Sequence, residues 1–343
     1  MLNSLPSELI LHILAFISPK QVLKYRRLSR RYNSFLLNRA FAVKNLSLFL
    51  PKPPTRSTRR TVDFDALWFK WPDVYQRVYC ELHWSQLESF GICQLIGGPL
   101  PPAITTIKTL VRIRVLFNHF RGNNICGPLP QDIGSLTSLK RVELQNCDIT
   151  GSLPASLLSL TYLEYLDLSD CKLSGPLPPF HCHSLQHLNL SKNVSLCGPI
   201  PLTLWSLHKL EYLNLSSCFL AGSSIPPLVQ SLQQLETLDL SRCGIVGVIP
   251  RELGSLRMMK NLNVSYNRLT GNIPSELGNC FWMESLVMNN NGLMGMVPSN
   301  LGQLEMIRSV SIFGGNCDIG WDKTEFVGRF GRRLRDDFQW NRR

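Results

Sequence analysis

The chain of 343 residues repeats one pattern between Val115 and Pro298, with a period of about 24 residues. One clear copy contains Leu136, Leu139, Val142, Leu144, Cys147, Ile149, Gly151, Leu153 and Pro154. The same slots return at Leu160 to Pro178, at Leu232 to Pro250 and at Leu256 to Pro274. Eight copies align, and a ninth begins at Leu304 without being completed. A repeat of this length is the signature of a solenoid.

Each copy contains an apolar-x-apolar pair, such as Leu166-Asp167-Leu168, which has the alternation of a short strand with one buried face. Burying one leucine contributes roughly 1.5–3 kcal/mol, but ordering each residue costs roughly 1–2 kcal/mol in backbone entropy. One copy therefore cannot fold alone, and stacking on its neighbours must make up the difference.

The slot three residues after each strand pair predicts an inward turn. Asparagine there can hydrogen-bond backbone groups that the bend leaves unpaired, and cysteine is a small, weakly polar alternative. The slot is occupied by Asn123, Cys147, Cys171, Asn193, Cys218, Cys243, Asn267 and Asn291. The following Gly and the Ile/Leu-Pro pair fix the return path, since glycine permits a positive φ and proline locks φ.

These slots resemble the leucine-rich repeat, in the variety that ends LxGxIP and is best known from plant receptor ectodomains. The resemblance covers about Leu95 to Cys317. It implies a curved solenoid with a strand-lined concave face, which the family uses to bind proteins or peptides. The expected fold class is therefore α/β, with three helices followed by a leucine-rich-repeat solenoid whose short strands line the concave face.

The first 45 residues have no place in the repeat and predict three short helices. Pro6 suits the first turn of a helix, and Ser18-Pro19-Lys20-Gln21 forms a capping box for the second. The segment resembles the F-box at Leu5, Pro6, Glu8, Leu9, Ile13, Ile17, Pro19, Val22, Leu23, Leu28, Arg30, Arg31 and Tyr32. It departs from the family pattern at Leu28-Ser29, where Val-Cys is commoner, and at Tyr32, where Trp is usual.

The resemblance to the F-box implies docking on the Skp-type adaptor of a cullin-based ubiquitin ligase. The apolar contact implied for that adaptor consists of Leu5, Pro6, Leu9, Ile10, Ile13, Val22, Leu23, Leu28 and Tyr32. The first helix is apolar on more than one stripe, so either a partner or the neighbouring solenoid must cover the surplus. A helical cap for the solenoid is therefore the alternative interpretation of this segment.

Positive charge is concentrated beside this helical segment. Residues 1–60 contain twelve lysines and arginines against Glu8 alone, which gives +11 of the chain's net charge of +12. A nucleic-acid binder would carry a basic stripe along its large surface, so the distribution argues against nucleic acid and favours an acidic partner. Skp-type adaptors are acidic as a family. A targeting role for the run from Arg56 to Arg60 stays open.

The eleven cysteines predict buried, reduced thiols, because four occupy the turn slot and Cys280 replaces a core leucine. No second pair of ligands at zinc-like spacing follows His181-Cys182-His183, so neither a metal nor a cofactor is expected. Leu9 to Phe16 lack the flanks of a signal peptide. No run reaches the roughly 18 apolar residues of a membrane span. The predicted location is cytoplasmic or nuclear, without a membrane.

The predicted domains are an F-box at 1–45, a basic Pro/Ser-rich linker at 46–62, an aromatic N-terminal cap with a degenerate repeat at 63–101, leucine-rich repeats at 102–317, and a C-terminal amphipathic cap with a basic tail at 318–343. In the last segment Phe326, Phe330, Leu334 and Phe338 recur every four residues. This spacing predicts a helix that covers the final repeat, and a basic targeting tail is the alternative.

The side chains that flank each inward pair should line the concave face. The middle position of each strand, as at Asp167 and Asn189, follows the repeat's consensus and is expected to be structural. Side chains that break the consensus are the candidate client-binding residues, because aromatics and arginines dominate binding energy at interfaces. These candidates are Arg141, Tyr165, Asp170, His187, Lys192, Tyr212, Arg242 and Tyr266.

The sequence contains no P-loop, nucleophile elbow or dinucleotide fingerprint, so we expect a binding protein and not an enzyme. The predicted function is a substrate-recognition adaptor of a cullin-based, SCF-type ubiquitin ligase. Its F-box would dock the Skp-type adaptor, and through it a cullin, while the repeats bind a client protein. The alternative is a leucine-rich-repeat scaffold or receptor-like ligand-binding protein without ligase association.

Overall fold

The computed structural model describes residues 36–49, 71–92, 98–115, 123–316, 318–322 and 328–340. Its α-helices are α1 (Arg39–Phe49), α2 (Asp73–His83) and α3 (Gly328–Trp340). Its strands are β1 (Ser89–Ile92), β2 (Arg112–Val115), β3 (Asn123–Pro128), β4 (Arg141–Glu143), β5 (Cys147–Gly151), β6 (Tyr165–Asp167), β7 (Lys172–Pro176), β8 (His187–Asn189), β9 (Ser195–Cys197), β10 (Tyr212–Asn214), β11 (Thr237–Asp239), β12 (Val246–Val248), β13 (Asn261–Asn263), β14 (Arg268–Asn272), β15 (Ser285–Val287), β16 (Gly292–Met296), β17 (Ser309–Ser311) and β18 (Asp318–Gly320).

One parallel sheet runs through the whole solenoid. It contains ten strands, one from each repeat, in the order β1-β2-β4-β6-β8-β10-β11-β13-β15-β17. Neighbouring strands pair without offset, so that Tyr165 is opposite Arg141 on one side and His187 on the other. Equivalent positions of successive repeats therefore form straight columns across this sheet. The predicted α/β class and strand-lined solenoid are confirmed.

The return path of each repeat builds the opposite side. Two further sheets, β3-β5-β7-β9 and β12-β14-β16-β18, follow the turn slots. Short 3₁₀ helices complete the return at Pro102–Thr106, Ile133–Ser135, Leu157–Ser159, Leu202–Ser206, Pro227–Ser231, Arg251–Ser255, Ser275–Asn279 and Ser299–Gln303. Between the sheets and these helices lies one continuous core, in which strand leucines such as Leu166 and Leu213 have no exposed surface.

The turn slots tie successive repeats together as hydrogen-bonding groups. The Asn267 side chain accepts the backbone N–H groups of Cys243 and Ile245 at 3.0 Å each. It also donates to the carbonyls of Leu240 and Val264 at 2.8 and 3.0 Å. In the preceding repeat the Cys243 thiol donates to the Leu215 carbonyl at 3.0 Å, and burial raises the pKa of this thiol to about 12. The slot cysteines are thus protonated, unbridged thiols.

The N-terminal end of the solenoid is covered by aromatic side chains. Helix α2 packs against the first 3₁₀ helix, and α1 packs against α2. Buried Tyr75 and Tyr79 both make edge-to-face contacts with Trp71, at centroid distances of 6.2 and 5.5 Å. Helix α1 continues to Phe49, three residues past residue 46, where the linker is predicted to begin.

The C-terminal end is covered by α3. This helix packs on β17 and on the last 3₁₀ helix, with Phe330 and Leu334 fully buried. Asp337 accepts the backbone N–H groups of Ile312 and Phe313, at 2.6 and 3.0 Å. In the inner repeats the N–H group equivalent to that of Ile312 donates to the next strand, as Leu168 does to the Asn189 carbonyl. The N–H group equivalent to that of Phe313 donates to a side chain of its own repeat, as Ser169 does to Asp167. A carboxylate therefore replaces the missing next repeat.

A membrane-spanning helix was sought among the described residues, and none of the helices there has the length and apolar character that crossing a bilayer requires.

Candidate functional site

The site residues predicted for the F-box lie before the described residues. This applies to Leu5, Pro6, Leu9, Ile10, Ile13, Val22, Leu23, Leu28 and Tyr32. Described structure begins at Leu36, which is fully buried. In α1, Phe41 and Leu46 are also buried, and the Phe41 ring contacts the Tyr75 ring edge to face at 6.4 Å. The chain just after the predicted adaptor contact is therefore fixed to the N-terminal cap of the solenoid.

Four predicted client residues form a continuous row on the concave sheet, which we call the ring row: Arg141, Tyr165, His187 and Tyr212. The Arg141 guanidinium lies 4.1 Å from the centroid of the Tyr165 ring. Tyr165 stacks on His187 at 4.1 Å with an interplanar angle of 5°, and His187 stacks on Tyr212 at 4.2 Å and 6°. In-register pairing of parallel strands produces this stack, because it holds equivalent side chains one strand apart.

The ring row is electrostatically uneven. Glu143 accepts from Arg141 at 3.1 Å and lies 3.5 Å from Arg112, so two guanidinium groups share one carboxylate. Burial raises the pKa of the Tyr165 hydroxyl, and the nearby Asp167 carboxylate raises it further. Burial also lowers the pKa of His187 from its ordinary 6.5, although Asp167 opposes this shift. The buried Nε2 atom of His187 has no hydrogen-bond partner.

The other four predicted client residues lie at the far end of the strands, in what we call the left-handed row: Asp170, Lys192, Arg242 and Tyr266. Their φ values are between 53° and 60°, a conformation that costs an ordinary residue roughly 1–2 kcal/mol. Asn146, Ser217 and Asn290 occupy the same position in other repeats and share this conformation. Asp170 and Lys192 form an exposed ion pair at 3.8 Å, and the Arg242 guanidinium lies 3.8 Å from the Tyr266 ring centroid.

The middle column, between the two rows, shapes the backbone. Asp167 accepts the N–H of Ser169 at 2.9 Å, and Asn214 accepts that of Ser216 at 2.9 Å. Asp239 does the same with Ser241 at 2.9 Å. Side-chain oxygens that accept from the backbone two residues on are typical of turns. These bonds agree with the structural role expected of the column. Because the column lies between them, the eight candidate residues form two rows rather than one cluster.

The concave face offers groups for binding. Within the described residues, no group of three histidine, cysteine or acidic side chains is placed to hold a metal ion. Cys182 of the His181-Cys182-His183 run is fully buried. Its pKa is raised to about 11 by burial, which keeps the sulfur protonated. What the face does present is stacked rings, guanidinium groups and carboxylates, which recognise other molecules by packing and charge.

Sequence reasoning missed two residues of this architecture. Arg112 is the in-register neighbour of Arg141, but the degenerate first repeat hides that alignment. The only available signal is the Arg-Ile-Arg-Val pattern of β2, in which arginine precedes the apolar position as it does in β4. Asp337 lies outside the repeat, so no periodicity could identify its role in closing the last strand.

Comparison with known proteins identifies the class of both modules. The model of the F-box domain matches residues 2–44. The model of the leucine-rich repeat matches residues 138–160, 162–183, 209–232, 234–256 and 258–280. The chain therefore contains an F-box domain followed by leucine-rich repeats, which confirms the resemblance to these two families; the LxGxIP variety of the repeat stays a prediction. Together the two modules support a role as a protein-binding adaptor. A search of curated proteins finds no match.

Similar solved structures include a TDR receptor and the ectodomain of a receptor kinase. A structure of a TDR receptor has 28% identity and a TM-score of 0.63, and covers 73% of this chain and 41% of its own. A structure of PEPR1-AtPEP1 has 26% identity and a TM-score of 0.57, and the match covers 69% of this chain and 39% of that one. A third structure is the ectodomain of the Arabidopsis thaliana receptor kinase GASSHO1/SCHENGEN3, with 24% identity and a TM-score of 0.50. The match covers 73% of this chain and 34% of that one, and it shows the fold alone. The chain thus spans only about two fifths of the length of the first two proteins.

Proposed function

We propose that this protein is a substrate-recognition adaptor of an SCF-type ubiquitin ligase, located in the cytoplasm or nucleus. Its F-box domain holds a Skp-type adaptor and through it a cullin, and its repeats hold the client protein. The observation that carries the proposal is that one chain joins an F-box domain at residues 2–44 to a leucine-rich-repeat solenoid. The protein would not be an enzyme itself and would accelerate ubiquitin transfer by proximity.

The packing of α1 on α2 supports a protein in which the F-box domain binds the adaptor and the repeats bind the client. Proximity works only if the distance between the two binding sites lets both partners reach each other. Phe41 and Leu46 bury the end of the F-box region against α2, which in turn packs on the first repeat. Helix α1 is therefore attached to the solenoid, and the predicted adaptor contact lies in the sequence before it. We assign the adaptor contact to the nine residues predicted there, from Leu5 to Tyr32.

The client would bind the concave face through both rows. The ring row supplies aromatic and guanidinium groups, which are the types that carry most binding energy when partly desolvated. The left-handed row supplies the Asp170–Lys192 ion pair and the Arg242–Tyr266 pair at the other edge. The positive φ of this row is shared by Asn146, Ser217 and Asn290, so it belongs to the repeat, and the binding role proposed for the row rests on its side chains.

A receptor-like ligand-binding protein is the second candidate, since the similar structures include a TDR receptor and PEPR1-AtPEP1. Asn193 argues against passage through a secretory compartment. The sequence Asn193-Val-Ser is a glycosylation sequon, yet Asn193 is fully buried and its amide nitrogen donates to the carbonyls of Leu168 and Leu190 at 2.9 Å each. A glycan on that nitrogen could not be accommodated in the folded repeat.

Co-purification tests the proposal. The tagged full-length chain is expressed in cells, and a Skp-type adaptor and a cullin are measured in the purified material by mass spectrometry. Changing Leu5 and Leu9 together to aspartate should abolish the recovery of both partners. The matched control changes Tyr165 and Tyr212 to alanine, which should leave adaptor recovery unchanged. Adaptor recovery that survives the aspartate changes would contradict the proposed docking surface.

Proximity labelling tests the client side of the proposal. Proteins labelled by the wild-type chain should accumulate when the proteasome is inhibited, and the Tyr165→Ala/Tyr212→Ala variant should fail to label them. The Leu5→Asp/Leu9→Asp variant should still label these clients, because its solenoid is intact, but should no longer shorten their lifetime. Secretion of the chain with sugar on Asn214 would instead support the receptor-like alternative.

A further inference from the structure

The ring row is closed at one end and open at the other. At its start the Arg141 guanidinium covers the outer face of Tyr165. At its end Tyr212 stacks on His187 with one face only, and its other face is turned toward Thr237, its partner in the next strand. Among the described residues no second ring or cation lies over Tyr212. A threonine side chain is too small to cover an aromatic ring.

Beyond Tyr212 the same column contains only small polar side chains: Thr237, Asn261, Ser285 and Ser309. Neighbouring strands are about 4.8 Å apart, and a planar group packs against a ring at about 3.5–4.0 Å. The place above Thr237 therefore has room for one planar group that would extend the stack by one step.

The charges around this place favour a cation. Glu211 directly precedes Tyr212, and Asp239 is the second residue after Thr237 on the same strand. Neither carboxylate takes part in an ion pair within the described residues. Nearby cations on the face are engaged elsewhere, since Arg242 lies over Tyr266 and Lys260 pairs with Glu236 at 2.7 Å. Lys209 lies in the turn before the strand and not on the face.

We propose that the open end of the ring row is a subsite for an arginine side chain of the client. The guanidinium would stack on the outer face of Tyr212, above Thr237, with its charge balanced by Glu211 and Asp239. The protein makes this contact twice with its own residues, at Arg141–Tyr165 and at Arg242–Tyr266. This inference rests on the proposed function, because it names the chemical group that the concave face recognises.

Arginine fits better than the other groups that could fill the place. An aromatic side chain would stack but would bring no positive charge to the two carboxylates. A lysine would bring charge, but its ammonium is a compact point charge without the plane that a stack requires. Guanidinium combines both properties, and its contact with a tyrosine face strengthens as water is excluded.

A peptide selection tests the subsite with the full-length protein. Phage displaying random linear peptides are selected on the wild-type chain, and selected peptides are then compared by calorimetry with versions in which arginine becomes citrulline or lysine. We expect one arginine to be enriched at a common position. Its replacement by citrulline, which keeps the shape but removes the charge, should weaken binding about tenfold, because a cation over a partly desolvated ring is worth roughly that factor.

Three variants locate the effect on the molecule. Thr237→Trp fills the place with a ring of the protein's own and should remove the preference for arginine. Ser309→Trp is the matched control, because it puts the same side chain in the same column three strands further on and should leave the preference intact. Glu211→Gln with Asp239→Asn should make arginine and citrulline peptides bind alike. Both changes install residues that neighbouring repeats already carry, at Gln186 and Asn214.

The outcomes separate this inference from the proposed function. Peptides that need Tyr165 and Tyr212 but show no preference for arginine, or prefer an aromatic residue, would overturn the arginine subsite and leave the concave-face proposal standing. If no peptide is retained, or if no change on the concave face alters peptide binding, both the arginine subsite and client binding by the concave face are contradicted. Recovery of the Skp-type adaptor would be unaffected by any of these results.

Discussion

The two halves of the solenoid have the same backbone but carry different side chains on it. In β4, β6, β8 and β10 the first column of the concave sheet carries large side chains, and the turn slots beneath are mostly cysteine. From β11 to β17 the same column carries small polar side chains, and the slots of the last repeats are Asn267, Asn291 and Asn316. Groups that can bind a partner and groups that tie repeats together thus lie at separate positions of each repeat. The two properties can therefore be changed independently.

The largest effect should come from the turn slots. Asn267→Ala would leave two buried N–H groups without an acceptor and the Leu240 carbonyl without its donor, whereas the Val264 carbonyl would keep its bond from Asn291. Each buried group left unpaired costs about 1–3 kcal/mol, so we expect the free energy of unfolding to fall by about 3 kcal/mol. Cys243→Ala removes one weak thiol donor and should cost only about 1 kcal/mol. Urea unfolding followed by tryptophan fluorescence measures both.

The reverse exchange sharpens this comparison. Cys243→Asn installs the side chain that the next repeat uses in an equivalent place, so it should leave stability unchanged or raise it. A loss as large as that of Asn267→Ala would show that the cysteine slots have their own packing requirement, and repeats with a cysteine slot would then differ from those with an asparagine slot in backbone as well as in side chains.

The next effect concerns binding. Tyr165→Ala and Tyr212→Ala should each weaken binding of the client, or of a peptide selected on the protein, by at least about tenfold, because partly buried aromatic groups dominate interface energy. The matched control in the small-residue half is Asn261→Ala, which should change binding less than about threefold. Titration calorimetry gives the dissociation constants. Equal losses in the two halves would remove the functional distinction between them.

The left-handed row allows a smaller test on stability. Ser217 has φ 59° and makes no ring contact, so Ser217→Gly should relieve strain and raise the free energy of unfolding by about 0.5–1 kcal/mol. Tyr266 has φ 54° and also supports the Arg242 guanidinium. Tyr266→Gly should therefore gain less, since it loses a contact worth roughly 0.5–1 kcal/mol. A gain at Tyr266 equal to that at Ser217 would mean that its contact with Arg242 contributes nothing.

Much of this architecture could be predicted from the sequence because it depends on periodicity. Once the repeat is aligned, Tyr165, His187 and Tyr212 fall at one position of three consecutive repeats, although those repeats differ in length. Their stacking could not be derived in the same way, because it depends on rotamers that in-register strands permit but do not impose. Nor does alignment reveal that Asp170 and Arg242 lie at the other edge of the strands with positive φ.

What lies outside the repeat was harder to predict. The spacing of Phe330 and Leu334 correctly indicates an amphipathic helix, but the sequence does not show where that helix docks. The bond from Asp337 to the last strand follows only from that docking. The predicted linker, whose start is placed at residue 46, overlaps the end of α1. Its basic and proline-rich composition begins near residue 51, whereas α1 is fixed up to Phe49 by its contacts with α2.

The smallest expected effect is a pH dependence confined to the ring row. Burial lowers the pKa of His187 from 6.5, with Asp167 and Glu143 favouring protonation and Arg141 opposing it. The unfolded chain therefore binds this proton more readily, so the stabilisation is complete above pH 6.5 and is lost as the pH falls toward the folded-state pKa. His187→Gln should flatten stability in this window, measured by urea unfolding between about pH 5 and 8. If the variant kept the wild-type slope, His187 would be protonated as easily in the stack as in the unfolded chain, and the large half of the concave face would be no more desolvated than the small one.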